Sequence, residues 1–193
     1  VFWNINSGSI PISLQDVFRI IFLRDGTETA YNIIWEIRLP RILAAVILGG
    51  ALSVSGFLLQ TFFGNPIAGP FVLGISSGAK LIVALTMIFL LGKSIVATSG
   101  VMIIAAFTGS MISMGFVLLI AKKVNQMSML VISGIMIGYI CSAVTDFVVT
   151  FADDSNIVNL HNWSMGSFSG TTWENVSTMT VVVMTALIIT FLM

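Results

Sequence analysis

From Ile42 to Phe63 the chain reads ILAAVILGGALSVSGFLLQTFF, 22 residues without a charge. As a helix rising 1.5 Å per residue, that run covers roughly 33 Å, about the thickness of a bilayer's hydrocarbon core. Three further apolar runs follow: Phe71 to Leu91, broken only by Lys80; Ile95 to Ala121, closed by Lys122 and Lys123; and Met127 to Phe151, which contains only Asp146. A fifth starts near Asn175 and is still apolar at Met193. The pattern predicts an all-α, polytopic transmembrane bundle of about five spans. Composition points the same way, with 57% apolar and 8% charged residues, where a soluble domain carries about 25% charged.

The same arithmetic excludes several functions. Eight Lys and Arg balance eight Asp and Glu, so there is no basic field to hold nucleic acid. Cys141 and His161 are single residues of their kinds, which leaves no pair for a disulfide and no cluster for a metal. His161 also lacks the companions of a catalytic triad, and no catalytic residue or cofactor is predicted. Gly92-Lys93-Ser94 imitates the end of a phosphate-binding loop, but Met87 stands where its first glycine is needed, so no ATPase is encoded here.

Organisation follows from where the charges gather. Residues 1–41 are mixed, and Ser13 precedes Asp16 by three, with Val17, Ile20 and Ile21 after it. That spacing predicts a capped, short amphipathic helix in an extracytoplasmic, interfacial segment, ahead of a transmembrane region over 42–193. GNPIAGP, residues 64–70, is a helix stop and tight connection. Residues 152–173 are expected to form a polar loop, with Trp163 and Trp173 at the membrane boundary. Small residues recur at Ala45-Gly49-Ser53, Ala105-Gly109-Ser113 and Gly134-Gly138-Ser142, a spacing that lets helix backbones approach closely in lipid. The chain opens at Val1 without a Met or a basic leader and stops within an apolar run, so it is read as a piece of a longer polypeptide. Lys80 and Asp146, the two charges within apolar runs, either snorkel to water or face a pore.

The string RLPRILAAVILGGALSVSGFLLQTFFGNPIAGPFVLGISSGA, residues 38–79, strongly resembles the permease subunits of ABC importers for ferric siderophores, haem and cobalamin. PISL (11–14) and WSMGSFSGTTWENV (163–176) are similar to two more of that family's segments. The resemblance implies the second to sixth of ten spans, in a bacterial or archaeal cytoplasmic membrane. Counting Lys and Arg by side would put the N-terminal segment in the cytoplasm. The family's topology instead places the RLPR end and the 163–176 loop outside, and the excess of Asp and Glu on that side agrees with it.

What the resemblance implies about function is specific. A second permease copy completes a central pathway, a periplasmic or extracellular binding protein delivers the ligand, and a separate cytoplasmic ATPase drives the cycle. Arg38, the first arginine of RLPR, is expected to dock the binding protein, with Arg41 and Arg24 as weaker candidates. Asn65, Pro66 and Ile67, with Met127 and Ser128, are expected at the cytoplasmic gate. Met165, Gly166, Ser167, Ser169 and Gly170 are expected at the pathway mouth. Ferric siderophore is the first choice of cargo, with haem or cobalamin next. The rival from another class is half of an ion-coupled secondary transporter, which would want acidic residues at mid-membrane. An assembly subunit without transport activity is the third option.

Overall fold

A computed structural model describes residues 12–23, 27–91, 99–124 and 126–192. Among them the regular structure is all helix, with no strand, as the apolar runs predict. Helix α1, Leu14–Phe18, continues as a π-helical turn over Arg19–Leu23. Its start is capped as the sequence predicts: the Ser13 hydroxyl oxygen accepts from the Asp16 N–H at 3.2 Å, and that hydroxyl donates to the Asp16 carboxylate at 2.6 Å.

Helix α2 runs from Glu28 to Phe63 and is π-helical between Ile33 and Arg38. It begins 14 residues before the charge-free run at Ile42. Absence of charge marks where a chain meets hydrocarbon, whereas the backbone ladder continues wherever donors and acceptors remain in register. Thr27 therefore sets the start, its side chain accepting from the Ala30 N–H at 3.4 Å.

Four more helices follow the turn at residues 64–74: α3, Ile75–Leu91; α4, Ser99–Ala121; α5, Met127–Val149; and α6, Asp154–Met165. Then comes α7, Trp173–Leu192. Helices α2, α4, α5 and α7 are long and apolar enough to cross a membrane, and α3 is an apolar helix of shorter length. Helix α6 corrects the expectation of a loop over 152–173. Leu160 is buried there with Trp163 packed beside it, so three residues of spacing put both on one face of a short amphipathic helix.

The chain divides into two compact units, Val1–Ser53 with Ser167–Met193, and Val54–Gly166. In the first, Ile12, Val17, Ile20 and Ile34 form a buried cluster against which Trp35, Leu39 and Ile42 pack. Two of its tryptophans are bonded. Pro40 has no N–H to donate, and the Leu39 N–H goes to the Ile34 carbonyl. The indole N–H of Trp173 donates to the Trp35 carbonyl at 2.9 Å, and the two rings lie 6.2 Å apart.

The second unit is built on small residues. Gly74 has φ +71°, and a Cβ there would lie 2.7 Å from both the Gly134 carbonyl oxygen and the Gly138 nitrogen. Gly78 and Gly109 are so close that a side chain on either would strike the backbone of the other. The triplets at 105–113 and 134–142 therefore do bring backbones together, through Gly109 and Ser113 in one and Gly134 and Gly138 in the other. The triplet Ala45-Gly49-Ser53 finds no such neighbour among the described residues: a Cβ on Gly49 would meet nothing within 4 Å of them. Two apolar clusters complete the unit, one of Phe63, Ala68, Leu73, Val117, Leu130 and Val131, the other including Val83, Met87, Ala105 and Leu160.

Candidate functional site

The residues expected at the pathway mouth occupy a structured turn. Helix α6 ends at Met165, and Gly166 follows with φ +70°, its N–H donating to the Trp163 carbonyl at 3.1 Å. Gly170 is also left-handed at φ +89°. Between them the Ser169 N–H donates to the Ser167 hydroxyl oxygen at 3.0 Å. The Thr171 hydroxyl donates to the Phe168 carbonyl at 2.8 Å, and Thr172 then caps α7 through the Asn175 N–H at 3.3 Å. Hydroxyls bonded to the backbone in this way hold an exposed loop in one conformation.

Ser167, Phe168 and Ser169 line a cleft of about 570 Å³ together with Arg41, Ile42, Ala45 and Val46 of α2. The structure thus joins one predicted docking residue, Arg41, to two predicted mouth residues. It separates Arg38 from Arg41 by exposure. Arg38 is 9% exposed, whereas Arg41 opens to the surface of the cleft. Three residues along a helix leave the two side chains only about 60° apart, so what packs beside each, not the spacing, buries the first arginine and leaves the second exposed. Arg24 lies outside the described residues.

The residues expected at the gate sit at one end of the second unit. The Asn65 side-chain oxygen accepts from the Ile67 N–H at 2.9 Å, an Asx turn that Pro66 stiffens from within. Ile67 projects outward at 71% exposure while Ala68, the next residue, is buried. Met127 and Ser128 form the first turn of α5, and Ser128 is exposed. Ala68 shares a core with Leu130 of that helix, which brings the two segments to the same end. The intramembrane charges are not brought together: Lys80 is half-buried on α3, and Asp146 is exposed near the end of α5. Sequence reasoning missed Trp35, whose carbonyl Trp173 engages. Pro40 signals only that a backbone donor is withheld from this stretch, and in an α-helix the carbonyl affected would be that of Glu36. The π-helical turn over Ile33–Arg38, which the sequence does not announce, is what moves the five-residue spacing onto Trp35.

The FecCD transport family model matches residues 1–193. The chain belongs to this family. Its relatives include the vitamin B12 import system permease protein BtuC of Klebsiella pneumoniae, 39% identical over 142 residues, covering 73% of this chain and 42% of the relative. The protein of the same name from Yersinia enterocolitica is 35% identical over 152 residues, 77% of this chain and 44% of the relative. That from Shigella boydii is 34% identical over 168 residues, 87% and 48%. The chain spans under half the length of these curated relatives. A solved structure described as a metal-chelate type ABC transporter in an inward-facing conformation matches with TM-score 0.75 at 23% identity, over 95% of this chain and 54% of the other. That likeness shows the fold, and with the apolar helices it makes this FecCD member a multi-pass membrane protein of all-α class.

Proposed function

We propose that the chain is the N-terminal half of a permease subunit of an ABC importer in a bacterial cytoplasmic membrane. A second permease copy, a separate ATPase and an external binding protein complete the transporter. Membership of the FecCD family carries this reading, supported by the cleft that joins Arg41 to Ser167 and Ser169. Arg41, exposed at the cleft, meets an acidic side chain of the binding protein, while Arg38, largely buried, is not the leading contact. The Asn65-Pro66-Ile67 turn and the start of α5 at Met127 and Ser128 close the cytoplasmic end. An uncharged side chain as exposed as Ile67 suits a constriction that excludes water without binding the cargo.

The cargo is a metal chelate. Ferric siderophore is the sequence-based choice, and the vitamin B12 permeases among the relatives favour a corrinoid as the second reading. The full-length permease, reconstituted in vesicles with its ATPase and binding protein, should take up radiolabelled chelate only with ATP. Separate assays with an iron-55 siderophore and cobalt-57 cobalamin decide between the cargoes. Uptake driven by an ion gradient without ATP would replace this reading with a secondary transporter.

A further inference from the structure

Between α3, α4 and α5 lies an apolar cavity of about 270 Å³. Its inner wall includes Gly78 and Gly109, which approach so closely that a side chain on either would strike the backbone of the other. No rotamer can therefore turn in from that wall to fill the space. Its polar atoms are few. The Ser113 hydroxyl is committed to the Gly74 carbonyl at 2.9 Å, and the Cys141 thiol is only a weak donor. A buried water needs about two to four polar partners. This wall does not offer them, so the cavity suits hydrocarbon. An apolar cavity of about 150 Å³ already holds benzene, and this one is larger. Ile112, Phe116 and Ile140 frame its mouth, lining it while being exposed themselves.

A cation stands on the same side of α4. Lys123 follows Phe116 by seven residues, which is about 20° around a helix of 3.6 residues per turn and about 10 Å along it. The Lys123 N–H donates to the Ile120 carbonyl at 2.8 Å, so the chain is still turning where it reaches the lysine. Lys122 falls about 100° to one side, and both lysines are exposed. No Asp or Glu occurs in the sequence between Glu36 and Asp146, and Asp146 lies near the opposite end of α5. The basic end of this unit therefore has no carboxylate of its own beside Lys123. Gly109, on the inner wall, is fourteen residues from Lys123, about 21 Å along the helix. The cavity thus lies about 10 to 21 Å from the lysine, a range that brackets the ~15 Å of hydrocarbon in one leaflet. We infer that the cavity takes an acyl chain of an anionic phospholipid whose phosphate is held at Lys123. The chain covers a wall that water cannot satisfy, and the phosphate meets a basic side chain at the membrane boundary. This inference requires only that these helices lie in a membrane. Failure of uptake with every cargo leaves it standing, and loss of the lipid leaves the permease reading standing.

The test uses the full-length permease in its assembled transporter, released from detergent micelles and weighed by native mass spectrometry with one added lipid at a time. Palmitoyl-oleoyl phosphatidylglycerol should be retained. Phosphatidylcholine with the same chains, which has no net charge, should be retained about fivefold less, as expected for one lysine at an anionic headgroup. Lys123→Ala should remove that preference, while Lys122→Ala should leave most of it. Dioctanoyl phosphatidylglycerol, whose chains stop short of the cavity, should be retained at least about tenfold less, since each methylene denied burial weakens binding several-fold. Ile140→Trp, which fills the mouth, should displace the long-chain lipid, whereas Val144→Trp, exposed on the same side of α5 but outside the lining, should not. The comparisons of chain length and headgroup need no substitution, so they stand even where a variant fails to fold. Retention indifferent to chain length or to Ile140→Trp overturns the cavity as the seat of the chain. Equal retention of the two headgroups, or a preference that survives Lys123→Ala, overturns the role of the lysine. Retention of neither lipid means that protein covers the cavity in the transporter, and overturns the proposal.

Discussion

The Ser113 hydroxyl of α4 donates to the Gly74 carbonyl at 2.9 Å, across 39 positions of sequence, and Ser113 is 2% exposed. The same carbonyl accepts the Gly78 N–H at 3.0 Å, so it begins the ladder of α3 while anchoring that helix to α4. Ser113→Ala removes one buried bond but leaves Gly74 its helical partner. The expected cost is about 0.6 to 1.7 kcal/mol, as for other bonds between membrane helices, read as thermal unfolding of the full permease in detergent.

Gly74→Ala should cost more than Ser113→Ala. Its new Cβ must find space 2.7 Å from two backbone atoms of α5, in a backbone conformation that disfavours any side chain. We expect a loss of about 3 kcal/mol or more, by overpacking and strain together. Gly49→Ala is the matched control: among the described residues nothing lies within 4 Å of a Cβ there, and the helix should gain up to about 1 kcal/mol. Equal unfolding temperatures for the two variants would contradict this packing.

Trp173→Phe keeps an aromatic ring beside Trp35 but withdraws the donor. The Trp35 carbonyl then loses its indole partner, and stability should fall by about 1 to 3 kcal/mol. Replacing Pro40 with Ala in the same background restores a backbone N–H, and should recover part of the loss. No recovery would mean that the ring contact, not the bond, holds the loop.

The two arginines of RLPR should separate in the laboratory as they do in exposure. Arg41→Glu is expected to leave the unfolding temperature almost unchanged and to weaken binding-protein association by about 2 kcal/mol or more, as for a docking pair turned repulsive. Arg38→Glu should lower stability, because it places the opposite charge in a largely buried site. Binding affinity and thermal melts, measured on both variants, check the assignment together. Strong binding by Arg41→Glu removes that residue from the interface.

A gate at the Asn65 turn and the start of α5 predicts contact between permease copies. Cysteines replacing Asn65 or Met127 should cross-link between subunits in the closed state and block uptake reversibly. The native thiol is best removed as Cys141→Ala, since Cys141 lines an apolar cavity of about 270 Å³. Absence of cross-links in every nucleotide state would leave both segments as connectors.

The spans were legible because a charge-free run of bilayer length is rare outside membranes, and the cap at Ser13 was legible because it is local. Helix α6 was harder to read, since Leu160 and Trp163 stand among polar neighbours and their shared face is short. The three small-residue triplets look alike in sequence, yet among the described residues only two find a close neighbour, because a repeat specifies a surface and not what covers it. Arg38 and Arg41 are likewise equivalent as letters. Only what packs around the helix buries one and leaves the other exposed.

The bond between Trp35 and Trp173 also carries a clock. Its partners are 138 residues apart, and at about 5 to 20 residues per second the ribosome adds Trp173 on the order of 10 s after Trp35. Throughout that interval the Trp35 carbonyl has no indole N–H to receive. Translation order thus favours closing this joint last, when the emerging loop delivers Trp173.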